Sequence, residues 1–338
     1  MNAAPGRPKQ ARTAARHGEG APVSKDVTRG LWLGLLGVVL FAATLPMTKL
    51  ATGSAGSPEL SPAFVTFGRA AVAGLLSLLY LVATRSPWPQ GRQWVALVFT
   101  ALGIVVGFPL FMAMGLRHVE SIHASVVTGI LPLATAAVAS VWLRQRPSLG
   151  FWLCAVAGSA LVAAFVVVRP GGTSSGAQLA DLLLVLAVFS AACGYVSGGQ
   201  LTHQLGAERV ICWVLVISLP LTVPVSLLVW PQTPVHSSAW GGFAYVSLFS
   251  MWLGFFAWYR GLALGGTVRV SQVQLVQPFL SILFSVPLLG EKLDLLTLAF
   301  AVAVIASVFI GKKMPVGVPA PDASKVRAAP STPKLGAS

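Results

Sequence analysis

One arginine stands inside an otherwise apolar stretch of the chain. Arg69 lies about eight residues into a run that begins near Ser61. An arginine at the centre of a membrane costs about 2.5–3.5 kcal/mol on insertion scales, so a compensating interaction must exist. No acidic partner is expected for it, which leaves two interpretations. Arg69 lines an aqueous cavity and attracts a substrate carboxylate or phosphate, or it bonds backbone carbonyls or extends towards the interface.

Further polar side chains occupy other apolar stretches. Lys49 lies near the end of the first stretch, where it reaches the interface or turns inward and adds to the positive potential around Arg69. Ser271, Gln274 and Gln277 recur every three residues, which places them on one face of a helix. These three residues either hydrogen-bond neighbouring helices or line a substrate path.

Aromatic and proline residues mark two more candidate positions. Trp258 and Tyr259 form either an interfacial aromatic belt or a cavity wall that stacks on substrate or closes a gate. Pro132 and Pro278 interrupt two apolar stretches, and a proline there frees a carbonyl and kinks the helix. Matching interruptions point to a transporter's binding site, and packing geometry alone is the alternative.

Candidates for proton coupling are few. Glu120 and His123 lie three residues apart and form either a titratable pair at a cavity mouth or a solvated helix start. Glu120 in the first half and Glu291 in the second are the acids expected nearest to a transport path, so proton antiport is not assigned. The sequence contains no phosphate-binding loop of the Gly-x-x-x-x-Gly-Lys-Ser/Thr type and no metal-ligand spacing, so neither a cofactor nor a metal is expected.

The elements that must position these residues follow from composition. Of 338 residues, 55% are hydrophobic and 9% are charged, and the mean hydropathy is +0.79. Soluble domains carry about 25% charged residues, so this chain is suited to a lipid-facing surface. Apolar runs of about 20 residues predict spanning helices, because every backbone group in lipid must be hydrogen-bonded within the segment. The expected fold is an all-α membrane protein.

Ten transmembrane helices are predicted. The spans lie at about 31–51, 61–84, 94–115, 121–143, 147–168, 178–200, 208–230, 240–263, 267–289 and 293–311. Residues 1–30 and 313–338 are expected to be disordered basic cytoplasmic tails. Residues 169–176 are expected to link the first half, 31–168, to the second half, 177–312.

Basic residues orient this arrangement. With the N-terminus in the cytoplasm, 18 of the 23 Lys and Arg residues fall on cytoplasmic segments and 3 on the opposite side. This bias follows the positive-inside rule and accounts for the net charge of +14 without nucleic acid binding. We therefore expect a multi-pass protein of the cytoplasmic (inner) membrane with both termini in the cytoplasm.

A shift of 146 positions aligns the two halves. Uncommon residues recur at this spacing: Trp94 and Trp240, Gly115 and Gly261, Ser125 and Ser271, and Pro132 and Pro278. Because each half has an odd number of spans, related halves insert in opposite orientations. The sequence thus predicts two inverted five-helix repeats, an architecture common among secondary transporters.

Four segments are distinctive in their order along the chain. They are Leu45-Pro46-Met47-Thr48-Lys49, Ser61-Pro62 followed by Arg69, the run GFFAWYRGLA at 254–263, and Gln277-Pro278 followed by Gly290-Glu291-Lys292-Leu293. With the repeat, they resemble the EamA-type family of the drug/metabolite transporter superfamily over about residues 30–312. Gln145 departs from that family's pattern, in which the first repeat often carries the Gly-Glu pair seen here at 290–291.

The resemblance implies a secondary transporter, an exporter or exchanger of small organic metabolites such as amino acids or related compounds, that works by alternating access. Each half is then an EamA-like five-helix repeat. A small-molecule substrate and the lipid bilayer are the expected partners, a homodimer is considered, and no enzyme activity is expected. The alternatives are a membrane-embedded enzyme, disfavoured by short loops and few acids, and a structural or sensory membrane protein without transport.

Overall fold

The computed structural model describes residues 25–142, 146–168, 175–265, 273–314 and 316–317. Within these ranges the protein is helical, apart from a two-residue antiparallel pairing of β1 (Arg146–Pro147) with β2 (Val316–Gly317). The expected all-helical class is therefore confirmed. Ser271, most of both predicted tails and most of the predicted linker lie outside the described residues.

The helices of the first half follow one another with short connections. They are α1 (Lys25–Ala42), α2 (Thr44–Thr52), α3 (Pro62–Ala83), α4 (Gln93–Ala101), α5 (Phe108–Gly115), α6 (Ser121–Thr128), α7 (Leu131–Trp142) and α8 (Leu149–Val168). A π-helical segment, Leu102–Gly107, joins α4 to α5. Because α1 begins at Lys25, the end of the expected N-terminal tail is helical.

The second half repeats this order. Its helices are α9 (Ser175–Leu205), α10 (Ala207–Leu228), α11 (Ser237–Tyr245), α12 (Gly254–Gly265), α13 (Gln277–Leu289) and α14 (Leu295–Lys313). A π-helical segment, Val246–Leu253, joins α11 to α12, and a 3-10 turn, Gln274–Val276, precedes α13.

Eight helical stretches in the described chain are long and apolar enough to cross a membrane. They are Lys25–Thr52, Pro62–Ala83, Gln93–Gly115, Ser121–Trp142, Leu149–Val168, Gln178–Thr202, Glu208–Leu228 and Ser237–Gly261. Two shorter apolar helices, Gln274–Leu289 and Leu295–Gly311, follow them. The ninth predicted span, 267–289, is described only from residue 273 onwards.

Helix interruptions recur at matching positions of the two halves. The fourth span breaks between Thr128 and Leu131, and Pro132 lies in the first turn of the helix that follows. The equivalent stretch of the second half forms the 3-10 turn, and Pro278 lies in the first turn of α13. Proline lacks an N–H and fits best in the first turn of a helix, where that donor would have no helical acceptor.

The principal helix contacts join one half of the chain to the other. α1 packs on α12, α3 on α10, α5 on α9, α6 on α13, and α8 on α14. Glycine permits the closest of these approaches, since a Cβ added to Gly261 of α12 would lie 2.6 Å from the backbone nitrogen of Gly34 in α1. The core therefore lies between the halves, and the broken helices meet there.

Candidate functional site

A cavity of about 80 Å³ lies at the level of the helix interruptions. We call it the central cavity. Its polar wall residues are Thr44, Arg69, Thr128, Tyr195, Ser250, Gln274, Gln277 and Ser281. Its remaining wall consists of Phe41, Leu45, Ile104, Phe108, Met112, Gly129, Leu131, Pro132, Met251, Phe255 and Pro278. A cavity of this size can hold several water molecules.

Arg69 is the charged residue of this wall. It projects from α3, and only 3% of its surface is exposed. Its Nη2 donates to the Ser250 hydroxyl at 3.2 Å and approaches the Met251 sulfur at 3.4 Å. Its Nε and Nη1 are buried and have no hydrogen-bond partner among the described residues. Both acceptors come from the π-helical segment of the second half, which therefore holds the guanidinium in place.

Neighbouring side chains fix the acceptor of Arg69. The Thr44 and Ser250 hydroxyls are 2.8 Å apart, so α2 supports the same contact from the other side of the cavity. Phe41 and Phe255 pack edge to face with ring centroids 5.0 Å apart and form part of the apolar wall. Arg69 is thus oriented by neutral groups, which leaves its charge uncompensated within the described chain.

This arrangement is suited to binding an anionic group. A buried guanidinium without a counter-ion is costly, and unpaired N–H donors add to that cost. A carboxylate matches the forked geometry of the guanidinium and accepts two parallel hydrogen bonds from it. The glutamine side chains on the facing helix segment can donate and accept, which suits a zwitterionic or hydroxylated ligand.

Four of the predicted site residues share the central cavity with Arg69. Gln274 and Gln277 line it from the 3-10 turn and the start of α13, and Pro132 and Pro278 line it at the two helix restarts. The structure therefore brings the predicted polar face and the paired prolines to the same place as the predicted arginine.

Lys49 lies elsewhere. Its Nζ donates to the carbonyl oxygen of Leu116 and, at 2.9 Å, to that of Val119. The lysine thus hydrogen-bonds the connection between α5 and α6. Its side chain is not part of the described wall around Arg69.

Trp258 and Tyr259 are also outside the described wall of the central cavity. Gly37 of α1 lies against Trp258 so closely that an added Cβ would come within 3.1 Å of the tryptophan Cβ. The Tyr259 ring packs on Phe255, with centroids 5.8 Å apart. Trp258 therefore serves the contact between α1 and α12, and Tyr259 packs on Phe255, whose side chain does line the cavity.

A second cavity of about 450 Å³ lies at the ends of α2, α5, α6 and α14, and we call it the vestibule. Its described wall consists of Lys49, Ser54, Arg117, His118, Val119, Glu120, Ile122, His123, Asp294 and Thr297. Burial lowers the pKa of Arg117, whose guanidinium donates to the Leu60 carbonyl at 3.3 Å. The vestibule is therefore rich in charge, unlike the central cavity.

The structure places an acid other than Glu120 against His123, and Glu120 fits the other interpretation, a solvated helix start. Glu120 is exposed and extended at the start of α6, whereas His123 is buried one turn further on and faces α9. There, His123 Nε2 lies 2.5 Å from Asp181 Oδ1. Asp181 lies within the predicted span 178–200, so an acid inside an apolar run was a signal that the sequence interpretation missed.

Family comparison now bears directly on this geometry. A model of the EamA-like transporter family matches residues 28–169 and matches again at 178–311. The chain belongs to the EamA-like transporter family. The expected resemblance is thereby confirmed, and the protein is a multi-pass membrane protein of a transporter family.

Relatives of this EamA-like chain carry transporter names. The uncharacterized transporter YdeK of Bacillus subtilis is 40% identical over 288 residues, which cover 85% of this chain and 98% of the relative. An uncharacterized transporter of Archaeoglobus fulgidus is 27% identical over 261 residues, covering 74% and 88%. A solved crystal structure with 18% identity and a TM-score of 0.58 covers 84% of this chain and 96% of its own, and it shares the fold.

Glu291 connects the two EamA-like halves beside the vestibule. Its carboxylate oxygens accept the N–H groups of Ser121 and Ile122 at 2.7 and 2.8 Å, which caps the first turn of α6. Burial raises the pKa of Glu291 above its ordinary value, and the two N–H donors offset part of that rise. The end of α13 is thereby tied to the start of α6.

Several wall residues were missed because they carry no sequence signal. Ser250 and Thr44 are ordinary small polar residues within apolar runs, and only the fold shows that they contact one another. Tyr195 lines the same cavity, and only the fold shows that it does.

Proposed function

We propose that this EamA-like protein is a secondary transporter of small carboxylate-bearing metabolites, with amino acids as the first class to test. Arg69 carries the proposal. A buried guanidinium with two unpaired nitrogens faces a cavity between broken helices, and a substrate carboxylate would supply the missing acceptor. The glutamines opposite would contact the rest of the solute, so transport rather than chemistry on the solute is proposed.

The proposed architecture is ten crossings in two inverted five-helix repeats. The recurrence of π segments, helix breaks and family matches in both halves supports it. In such folds, the site lies at the repeat interface and one unit rocks against the other. The proposed location is the cytoplasmic membrane with both termini inside, which the bias in basic residues supports.

The substrate proposal is tested in proteoliposomes. Purified protein is assayed by counterflow with labelled amino acids and carboxylates, each compared with the amine or amide that lacks the carboxylate. We expect the protein to transport at least one carboxylate and not to transport the amine or amide that lacks that carboxylate. Failure of every carboxylate in the panel would overturn the proposed substrate class.

The role of Arg69 is tested by substitution. Arg69→Ala should lower carboxylate transport by about 10- to 100-fold, because a hydrogen bond to a charged group contributes about 1.5–3 kcal/mol. Arg69→Lys keeps the positive charge but loses the forked guanidinium. Its transport rate should lie between those of wild type and Arg69→Ala. Arg92→Ala, which removes an exposed arginine before α4, is the matched control. Equal transport by wild type and Arg69→Ala would remove Arg69 from the mechanism.

The orientation is tested by labelling. Ser57→Cys and Gln90→Cys place exposed thiols in the connections before and after α3, in a chain whose three native cysteines are replaced. A membrane-impermeant thiol reagent should label residue 57 in intact cells and residue 90 only after lysis. The reverse pattern would contradict the proposed orientation.

A further inference from the structure

A buried titratable pair connects the two halves at the vestibule. His123 belongs to α6 and Asp181 to α9, and their side chains are only 4% and 8% exposed. The His123 ring stacks on Phe165 with centroids 4.9 Å apart. An ionisable pair in an apolar helix bundle is expensive to bury and marks a functional site by default.

The carboxylate of the pair is only partly hydrogen-bonded among the described residues. Asp181 Oδ2 is buried and has no hydrogen-bond partner among the described residues. Most buried polar atoms in proteins do have partners, and an exception calls for an explanation. A carboxylate with one paired and one orphaned oxygen retains room to accept a proton or a second donor.

Protons can reach the pair from the vestibule, because His123 forms part of its wall. Charged and titratable groups share the vestibule wall with His123. They are Lys49 on α2, Arg117, His118 and Glu120 before α6, and Asp294 before α14. Glu291, after α13, lies close enough to Lys49 and Glu120 to interact electrostatically with both. Both signs of charge are therefore present around the vestibule.

The same two helices also reach the central cavity. α6 ends at Thr128 and Gly129, which line that cavity, and α9 contributes Tyr195 to its wall. α6 is also hydrogen-bonded to α13, because the Ser285 hydroxyl donates to the Ser121 hydroxyl at 3.0 Å. A change in the contact between α6 and α9 at the vestibule can therefore alter the cavity wall.

We propose that His123 and Asp181 form a proton-binding site that couples proton movement to substrate movement. With one proton, the pair is an imidazolium facing a carboxylate, and its net charge is zero. Loss of that proton to the vestibule leaves a net charge of −1 in an apolar setting, which weakens the contact that holds α6 to α9. The coupling part of this proposal rests on the proposed transport function, whereas the proton-binding part does not depend on it.

Proton binding is tested without any substrate. The chain has five histidines, so nitrogen-15 histidine labelling of the full protein in nanodiscs gives a simple spectrum. His123→Gln assigns the signal, whose chemical shift should change with pH as the ring gains or loses its proton. Asp181→Asn should move its midpoint by about one pH unit or more, since a neighbouring charge shifts a pKa by that amount. Glu120→Gln is the control and should move it less.

Coupling is tested with the labelled amino acid that gives the fastest counterflow. One pH unit corresponds to about 1.4 kcal/mol, so one-for-one exchange supports about tenfold accumulation per unit of gradient. His123→Gln and Asp181→Asn should lose this accumulation and keep counterflow, which needs no net proton movement. His118→Gln, in the same vestibule, should keep both.

The outcomes separate the two proposals. If His123→Gln and Asp181→Asn lose both counterflow and accumulation, or keep both, the coupling role is overturned. The transport function of the wild-type protein is unaffected by either result. A His123 signal that does not titrate, or that ignores Asp181→Asn, would overturn the proton site. If no amino acid in the panel is carried, the substrate proposal fails, and the titration still decides whether the pair binds a proton.

Discussion

The two halves of the chain share their backbone elements and differ in their charges. α8 and α14 begin at Leu149 and Leu295, which are 146 positions apart, and the π segments and helix breaks recur with nearly the same spacing. At that spacing, Arg69 corresponds to Leu215, whose side chain is fully buried. The interruptions are therefore common to both halves, whereas the buried charge belongs to the first.

This difference has a physical reason. Breaks in the helices free backbone groups and permit bending, and a symmetric movement needs them in both halves. A single charge on one side of the cavity binds the oppositely charged end of a ligand at that side. Arg69 comes from the first half, and Ser250, which orients it, comes from the second. A single, polar orientation of the solute follows from that asymmetry.

Transferring the charge to the other half should have the largest effect. Leu215→Arg places a guanidinium at the position equivalent to Arg69, in a packed part of α10 without a described cavity. We expect the free energy of unfolding to fall by about 2.5–3.5 kcal/mol and the yield of folded protein to fall sharply. Size-exclusion chromatography of membrane extracts measures the yield of folded protein, with Leu215→Met as the matched control. A normal yield would show that α10 tolerates a charge.

Removing the charge from the first half should abolish function without harming the fold. Arg69→Leu gives α3 the residue that α10 has, and transport of carboxylates should fall about 10- to 100-fold. Stability should stay equal or rise, because an apolar residue replaces an uncompensated buried charge. Thermal unfolding in detergent and counterflow are measured on the same sample. A destabilised variant would indicate that Arg69 serves packing rather than binding.

Substitutions of Gly261 and of its equivalent, Gly115, test how closely the two halves approach each other. Ala at Gly261 would bring its Cβ 2.6 Å from the Gly34 nitrogen and 2.9 Å from the Gly30 carbonyl, both of which are backbone atoms. At Gly115, the equivalent position, the nearest atoms are 3.2 Å away, and one of them belongs to the flexible Leu184 side chain.

Gly261→Ala should therefore cost about 1–3 kcal/mol, which is typical of overpacking, and Gly115→Ala should cost less. The two midpoints of thermal unfolding give the comparison directly. Equal losses would mean that α1 and α12 are no more tightly packed than α5 and α9.

The sequence predicts this framework well and the site only in part. Apolar runs and the shift of 146 locate the helices, because lipid imposes a helical backbone on any long apolar segment. Arg69 and the prolines stand out because each breaks a local rule of an apolar helix. Gln274 and Gln277 are found from their helical spacing, and they share the cavity with Arg69.

Pairings between distant helices are not predictable in the same way. His123 contacts Asp181 of α9, whereas Glu120 precedes the helix in an extended conformation. Trp258 and Lys49 are not among the described residues of the central-cavity wall, and their position depends on the same kind of long-range packing. The direction in which a side chain leaves its helix depends on the rotation of that helix against neighbours that lie far away in sequence.

The smallest predicted difference concerns the caps of the last helix in each half. Asp294 accepts the Thr297 N–H and hydroxyl, both at 2.7 Å, at the start of α14. Ser148, the equivalent residue before α8, accepts the Phe151 N–H at 3.4 Å. Asp294→Ala should cost about 1 kcal/mol, and Ser148→Ala only a few tenths, because a long hydrogen bond contributes little.

The stability that these two caps contribute should also differ in its dependence on pH. The Thr297 N–H is the main cause that lowers the pKa of Asp294 below its ordinary value of 3.8. A depressed pKa stabilises the fold above the unfolded value, and that stabilisation is lost as pH falls through the folded value. The gap in unfolding midpoint between wild type and Asp294→Ala should be constant above about pH 5 and narrow below about pH 4. The gap for Ser148→Ala, which involves no titrating group, should not change, and a parallel narrowing of both would assign the acid effect to other carboxylates.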